Sequence, residues 1–208
     1  LLHTEFVGVG VDRIDYTKGI PDRLRAIDRF FEKYPEYIKR FTFFEVGARS
    51  RSRIPAYKNL AKEIALLIEE INWKYSSGSW NPIVYLEEFL EFPSILAHYK
   101  DADVCIVSSL HDGMNLVAKE FVASQTEGDA GVLILSQFTG AARELTDALL
   151  INPYCIEEMA DSIKTALEMP RAEKERRMKN LQGIVKENNI YRWAGDIIEA
   201  IAKQQTQA

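Results

Sequence analysis

Cysteine is nearly absent from this chain: Cys105 and Cys155 are the two in 208 residues, and neither has a metal-like or redox-motif spacing. A disulfide scaffold and a thiolate metal centre are therefore excluded as organising devices. Cys105 lies in an apolar run, which predicts a buried reduced thiol and a cytoplasmic setting. Positive charge is not in excess either. The 26 Lys and Arg against 31 Asp and Glu give a net charge of -5, which argues against a general nucleic-acid or membrane-surface binder while leaving room for a local basic site. No apolar run reaches membrane length, no signal peptide is visible, and there is no internal repeat or low-complexity linker. A starting methionine is missing too, and the first residues read almost directly into a strand, so a fragment of a longer chain is expected.

What is present is an alternation. Apolar, β-rich runs occur at Phe6–Val11, Phe41–Val46, Ile83–Leu86, Val104–Val107, Val132–Leu135 and Ala148–Ile151. Helical patterns lie between them. One opens at Pro21, with Leu24, Ile27, Phe30 and Phe31 on its apolar face; a long one runs from about Pro55 to Tyr75. Shorter helices fit Ser94–Tyr99, Leu116–Gln125 and Ala141–Leu145, and the tail reads as helices over Ile156–Met169, Arg171–Asn188 and Tyr191–Lys203. Trp73–Pro82 reads as a flexible loop and Thr126–Gly131 as a short polar connection. Strands that are hydrophobic throughout and alternate with helices predict an α/β fold. A doubly wound parallel sheet, with helices on both faces, would form a single domain over 1–208.

In such sheets ligands sit beyond the carboxyl ends of the strands. Three strand ends carry candidate chemistry. Asp112-Gly113-Met114-Asn115 follows one strand and leads at once into a helix, whose free amides and partial positive charge attract phosphate while Asp112 can accept hydrogen bonds from hydroxyls. Arg13 and Lys18 leave the first strand in one loop; a guanidinium fork and a mobile ammonium together suit a diphosphate. The competing reading pairs these cations with Asp12 and Asp15 in a solvated loop. Ser136–Ala142 is the third end, with small residues that permit close approach. Arg49, Arg51 and Arg53 could extend the positive rim, although their alternation predicts that at least two are solvated. Glu120 suits a ribose diol, or else pairs on the surface with Lys119 or Arg143. His111 is expected to serve as a structural hydrogen-bonder, and His3 and His98 join no constellation. Gly8-Val9-Gly10 lies inside a strand and lacks the rest of a dinucleotide fingerprint. Trp80 and Trp193 fit core or interface equally well, and Arg171–Arg177 reads as a solvated helix face.

Three runs together resemble the trehalose-6-phosphate synthase family: Val11–Gly19, Asp112–Glu120 and Gly131–Ala142, with Asn152-Pro153-Tyr154 and the tail fitting as well. The resemblance implies a Rossmann-like domain, the C-terminal half of a GT-B glycosyltransferase. That family transfers glucose with retention from a nucleotide sugar, usually UDP-glucose, to the sugar-phosphate acceptor glucose 6-phosphate. By resemblance Arg13 and Lys18 bind the diphosphate and stabilise the leaving nucleotide. Asp112 holds donor hydroxyls, and the amides of Gly113, Met114, Asn115, Leu116 and Val117 meet sugar and phosphate oxygens. Glu120 binds the ribose, and Arg51 matches a family arginine. No cofactor and no metal is implied. Two departures stand out: His111 replaces an arginine, and Ala48-Arg49-Ser50-Arg51 replaces a Pro-Ser-Arg. The family's N-terminal domain, which supplies most of the acceptor pocket and a histidine near the reacting sugar, has no counterpart here, so the domain alone is expected to turn over little or not at all. A glucosylglycerol-phosphate synthase using glycerol 3-phosphate is the close alternative, and a nucleotide-sugar-binding module without catalysis is the reading from another class.

Overall fold

The computed structural model describes residues 4–205 apart from 50, 52, 89, 127 and 129. Its centre is one sheet of six parallel strands: β1 (Phe6–Arg13), β2 (Phe41–Ala48), β3 (Ile83–Leu86), β4 (Val104–Val107), β5 (Val132–Ser136) and β6 (Leu149–Ile151). The order across the sheet is β3-β2-β1-β4-β5-β6. The chain thus winds outward from β1 to β3, returns beside β1 as β4, and winds outward the other way. Among the described residues the α-helices are α1 (Ile20–Lys33), α2 (Pro55–Tyr75), α3 (Phe92–Asp101), α4 (Leu116–Ser124), α5 (Ile156–Glu168) and α6 (Arg171–Glu187), which pack around the sheet, and α7 (Ile190–Gln205), whose large apolar residues are exposed.

Side chains alternate across each strand, so one strand feeds two cores. Val104 and Ile106 of β4 join Leu24, Ile27, Phe30 and Phe31 of α1, Ile64 and Ile68 of α2 and Ile163 of α5 on one face. Cys105 and Val107 join Tyr99 of α3, Phe121 and Val122 of α4 and Leu181 of α6 on the other. The glycines of Gly8-Val9-Gly10 are there for room: a Cβ at Gly8 would lie 2.6 Å from the Phe43 ring, and one at Gly10 would lie 2.9 Å from Cζ of Arg23.

Two expectations need correction. No α-helix spans Ala141–Leu145; Gly140–Arg143 is a single 3₁₀ turn, because Thr139 caps it by accepting from the Ala142 amide and the bonding is i to i+3. Nor is Trp73–Pro82 a flexible loop. α2 runs on to Tyr75, and Ser77 and Trp80 then exchange both backbone hydrogen bonds at 3.2 Å around Gly78, whose φ is 63°. Trp80 packs edge-on to Phe31 and donates to the Thr42 hydroxyl at 3.0 Å, whereas Trp193 is exposed on α7. The connection Thr126–Gly131 falls partly outside the described residues, as do His3 and Ser50. Among the described residues no helix is long and apolar enough to cross a membrane.

Where β1 and β4 part, a charge is buried. Their register covers Gly8↔Val104 and Val9↔Cys105, and beyond it Arg23 of α1 takes over. Its fork donates to Glu45 Oε1 and Oε2 at 2.8 and 3.1 Å, to Asp12 Oδ2 at 2.9 Å through both terminal nitrogens, and to Ile106 O at 3.0 Å. Arg23 and Glu45 are wholly buried and Asp12 nearly so. One buried cation faces two carboxylates, and burial pushes both acids up, Glu45 from an ordinary 4.5 to about 7 against the opposing pull of Arg23.

The sign of the resulting pH dependence is fixed. Between 4.5 and about 7 the native state holds a proton on Glu45 that the unfolded chain has lost, so this group's contribution makes stability fall as pH rises through that window. Glu45→Gln should flatten the fall. Urea denaturation at a series of pH values between 5 and 7 checks this, and parallel curves for variant and wild type would refute it.

Candidate functional site

The reversal of winding between β1 and β4 leaves a crevice at their carboxyl ends, the place where open α/β sheets bind ligands. The loop leaving β1 is built on Asp15. Its Oδ1 accepts from the amide and the hydroxyl of Thr17, each at 3.0 Å, and so caps a 3₁₀ turn over Tyr16–Lys18. Its Oδ2 accepts from Tyr57 of α2 at 3.2 Å. Burial would raise the Asp15 pKa, but these hydrogen bonds outweigh it and hold the acid below its ordinary value. Gly19 then turns the chain into α1 with φ 64°, and a Cβ there would collide with Ser108 O at 2.4 Å.

Lys18 Nζ lies 2.6 Å from Asp112 Oδ2, and both side chains are more than four-fifths buried. Burial raises the Asp112 pKa, yet the bond and charge of Lys18, with smaller help from the Met114 amide and Asn115, bring it below the usual carboxylate range. Asn115 is the hub of the second loop. Its left-handed backbone, φ 77°, is one that asparagine tolerates. Its side chain accepts from the Ala118 amide at 3.0 Å, capping α4, and donates to Asp112 Oδ2 at 3.1 Å. The amides of Leu116 and Val117, ahead of Ala118, have no acceptor within the helix.

The third strand end is laced to the second through backbone: Asp112 N to Phe138 O at 3.2 Å, Gly140 N to Asp112 O at 3.0 Å and Ala141 N to Met114 O at 2.8 Å. The first is tied by Leu110 N to Thr17 O at 2.7 Å, with His111 N reaching the same oxygen at 3.4 Å. Three loops from three strand ends therefore form one corner. A cavity of about 330 Å³ flanks it on the β2 side, walled by Ile14, Arg49, Tyr57 and Glu87. One of about 600 Å³ flanks it on the β5 side, walled by Met114, Leu116, Lys119, Glu144 and Trp193.

The structure brings Lys18, Asp112, Gly113, Met114, Asn115, Leu116 and Val117 together. Arg13, exposed at the end of β1, has no side-chain ion pair among the described residues. The pairing of these cations with Asp12 and Asp15 does not occur, because Asp12 turns inward to Arg23 and Asp15 to Thr17 and Tyr57. Arg51 joins the corner indirectly, donating to Tyr57 at 2.8 Å; Arg49 is tied to Glu87 at 2.8 Å and Arg53 is exposed. Glu120 sits farther along α4, half-buried, and accepts from Tyr99 at 3.4 Å. Neither surface pairing forms, since Lys119 binds Glu144 at 3.0 Å and Arg143 is exposed. Tyr57, Thr17 and Ser108 were not singled out by the sequence. Only Arg23 left a signal there: a charge in the apolar stripe of α1, between Ile20 and Leu24. Among the described residues no group of His, Cys, Asp and Glu is placed to hold a metal ion.

Chemically, the corner offers one paired cation, one exposed arginine, free helix-start amides and a carboxylate, a set that suits an anion carrying hydroxyls. The model of glycosyltransferase family 20 matches residues 2–203. A trehalose-6-phosphate synthase of Sodalis glossinidius is 38% identical over 200 residues, covering 96% of this chain and 43% of that protein. Solved structures agree. One from E. coli, bound with UDP-2-fluoro glucose, superposes with a TM-score of 0.93 at 36% identity over 96% of this chain and 44% of its own. A UDP-forming α,α-trehalose-phosphate synthase of Burkholderia xenovorans, in complex with glucose-6-phosphate, gives 0.94 at 35% identity over 97% and 44%. The chain thus spans less than half the length of these relatives. It belongs to glycosyltransferase family 20, and its fold is the Rossmann-like C-terminal half of a GT-B enzyme.

The lacing of the corner is testable at Gly140, where a Cβ would stand 2.0 Å from Gly113 O, a backbone atom that cannot swing aside. Gly140→Ala should destabilise the protein by about 1–3 kcal/mol, the scale of overpacking. Chemical denaturation reads it, and an unchanged midpoint would mean that the two loops are not in register as described.

Proposed function

We propose that this chain is the donor-binding half of a retaining glucosyltransferase, which moves glucose from UDP-glucose to glucose 6-phosphate and gives trehalose 6-phosphate. The observation that carries the reading is the Lys18–Asp112 contact at the sheet's switch point, beside the free amides of α4. When donor enters, Lys18 exchanges the carboxylate for the diphosphate and Asp112 exchanges the ammonium for glucose hydroxyls. Arg13, exposed at the end of β1, adds a second cation at the phosphates. The amides from Gly113 to Val117 complete the oxyanion contacts, Glu120 takes the ribose, and Arg51 steadies the pocket wall through Tyr57.

The chemistry then follows from charge. The bond to the anomeric carbon breaks as negative charge gathers on the departing UDP, and fixed cations and amides stabilise that charge more than they stabilise the bound donor. No protein nucleophile takes part. The acceptor attacks the face from which UDP departs, the leaving phosphate accepts its proton, and the protein orients the partners. The mechanism of a related trehalose-6-phosphate synthase has been described as glycosyl transfer with retention. Glucose 6-phosphate is preferred to glycerol 3-phosphate because the Burkholderia xenovorans relative holds glucose-6-phosphate. Acceptor binding is assigned to the part of the relatives that this chain does not match, which leaves donor binding as the property of these 208 residues. The free thiols of Cys105 and Cys155 go with a cytoplasmic setting.

Calorimetric titration with UDP and UDP-glucose tests the reading. The wild-type chain should bind both. Lys18→Ala and Arg13→Ala should each weaken UDP by about 1.5–3 kcal/mol, the value of a hydrogen bond to a charged group, or roughly tenfold to a hundredfold in Kd. Undiminished affinity in Lys18→Ala would remove the diphosphate from this corner.

A further inference from the structure

Ser108 and Arg23 touch no proposed ligand, yet both reach the loop that carries Lys18. We infer that Arg23, acting through Ser108, is a positioning residue for Lys18: it sets the loop after β1 in its binding shape before any ligand arrives. The inference rests on the donor-site reading above.

The connection is continuous. Besides Glu45, Asp12 and Ile106, the Arg23 fork donates through Nη1 to Ser108 Oγ at 3.3 Å. The Ser108 hydroxyl donates in turn, shared between the carbonyls of Lys18 at 3.1 Å and Gly19 at 3.2 Å. Both Ser108 and Arg23 are completely buried. The backbone on which Lys18 stands is therefore fastened to the segment following β4, four residues before Asp112. Arg23 also grips Asp12, the neighbour of Arg13, at 2.9 Å. Both cations assigned to the diphosphate thus hang from backbone that one guanidinium organises. Gly10 and Gly19 keep the space open, the first for the Arg23 fork and the second for Ser108 O.

Stability alone does not account for this arrangement. A buried ion cluster gains little over apolar side chains of the same volume, because desolvation offsets the attraction. What apolar residues lack is direction. The planar fork fixes the end of β1, the middle of β2 and the exit from β4 relative to one another, and Ser108 passes that fix to the loop. A loop already ordered in the free protein loses less freedom when it binds, so the clamp appears as affinity.

The test uses Ser108→Ala, which deletes the hydroxyl and leaves the Arg23–Glu45–Asp12 contacts in place. Hydrogen exchange of the unliganded chain should be at least fivefold faster at residues 15–19 and unchanged in α5. Calorimetric UDP affinity, measured on the folded variant, should fall five- to twentyfold. Wild-type exchange at residues 15–19 would overturn the inference, and so would faster exchange with undiminished UDP affinity. Arg23→Lys keeps the charge but loses the fork and should shift both readouts the same way; if it does not fold, Ser108→Ala decides alone. Absence of UDP binding by the wild-type chain would overturn the donor reading itself, while the exchange data still report whether Ser108 clamps the loop.

Discussion

Two adjacent parallel strands whose connections depart in opposite directions cannot both have their ends covered. That constraint, met here between β1 and β4, creates the crevice on which everything else depends. The loops leaving these strands are compelled to be neighbours although 94 residues separate Lys18 from Asp112. Close approach demands glycine at 19 and 140, where any side chain would strike backbone. The start of α4 belongs to the same corner, because the loop leaving β4 leads directly into it.

The fold was legible because its signals are local and repeated. Apolar runs bounded by turns and helical stripes such as Leu24, Ile27, Phe30 and Phe31 report burial directly, and their alternation leaves the doubly wound sheet as the economical solution. The two misread segments were decided by contacts far along the chain or by a cap. Trp80 is drawn down by Phe31 and Thr42, and Thr139 tightens the turn after it to a 3₁₀ geometry.

The site was legible in part. Strand-end position and charge singled out Arg13, Lys18 and Asp112, and the pairing of the last two is a tertiary fact that spacing alone could not give. Charge balance was harder to read. Asp12 and Asp15 looked like partners for the loop cations, yet one serves a buried arginine and the other caps a turn. Glu120 faces Tyr99 and not the corner's own charges, and nothing in its neighbours on the chain announces that contact. Tyr57, which links Arg51 to Asp15, lies in the first turn of α2, where no motif marks it.

The ion pair of Lys18 with Asp112 bears on which molecules the corner favours. Each partner already satisfies the other, so these two charges neutralise one another and Arg13 stays the exposed cation beside them. A visitor that offers only an anion frees the ammonium but strands the carboxylate, and one that offers only hydroxyls does the reverse. A molecule that brings both at once meets neither cost and is favoured over either half alone. A pair of opposite charges closed on itself thus works as a filter, ranking a ligand that carries anion and hydroxyls together above one that carries a single kind of group.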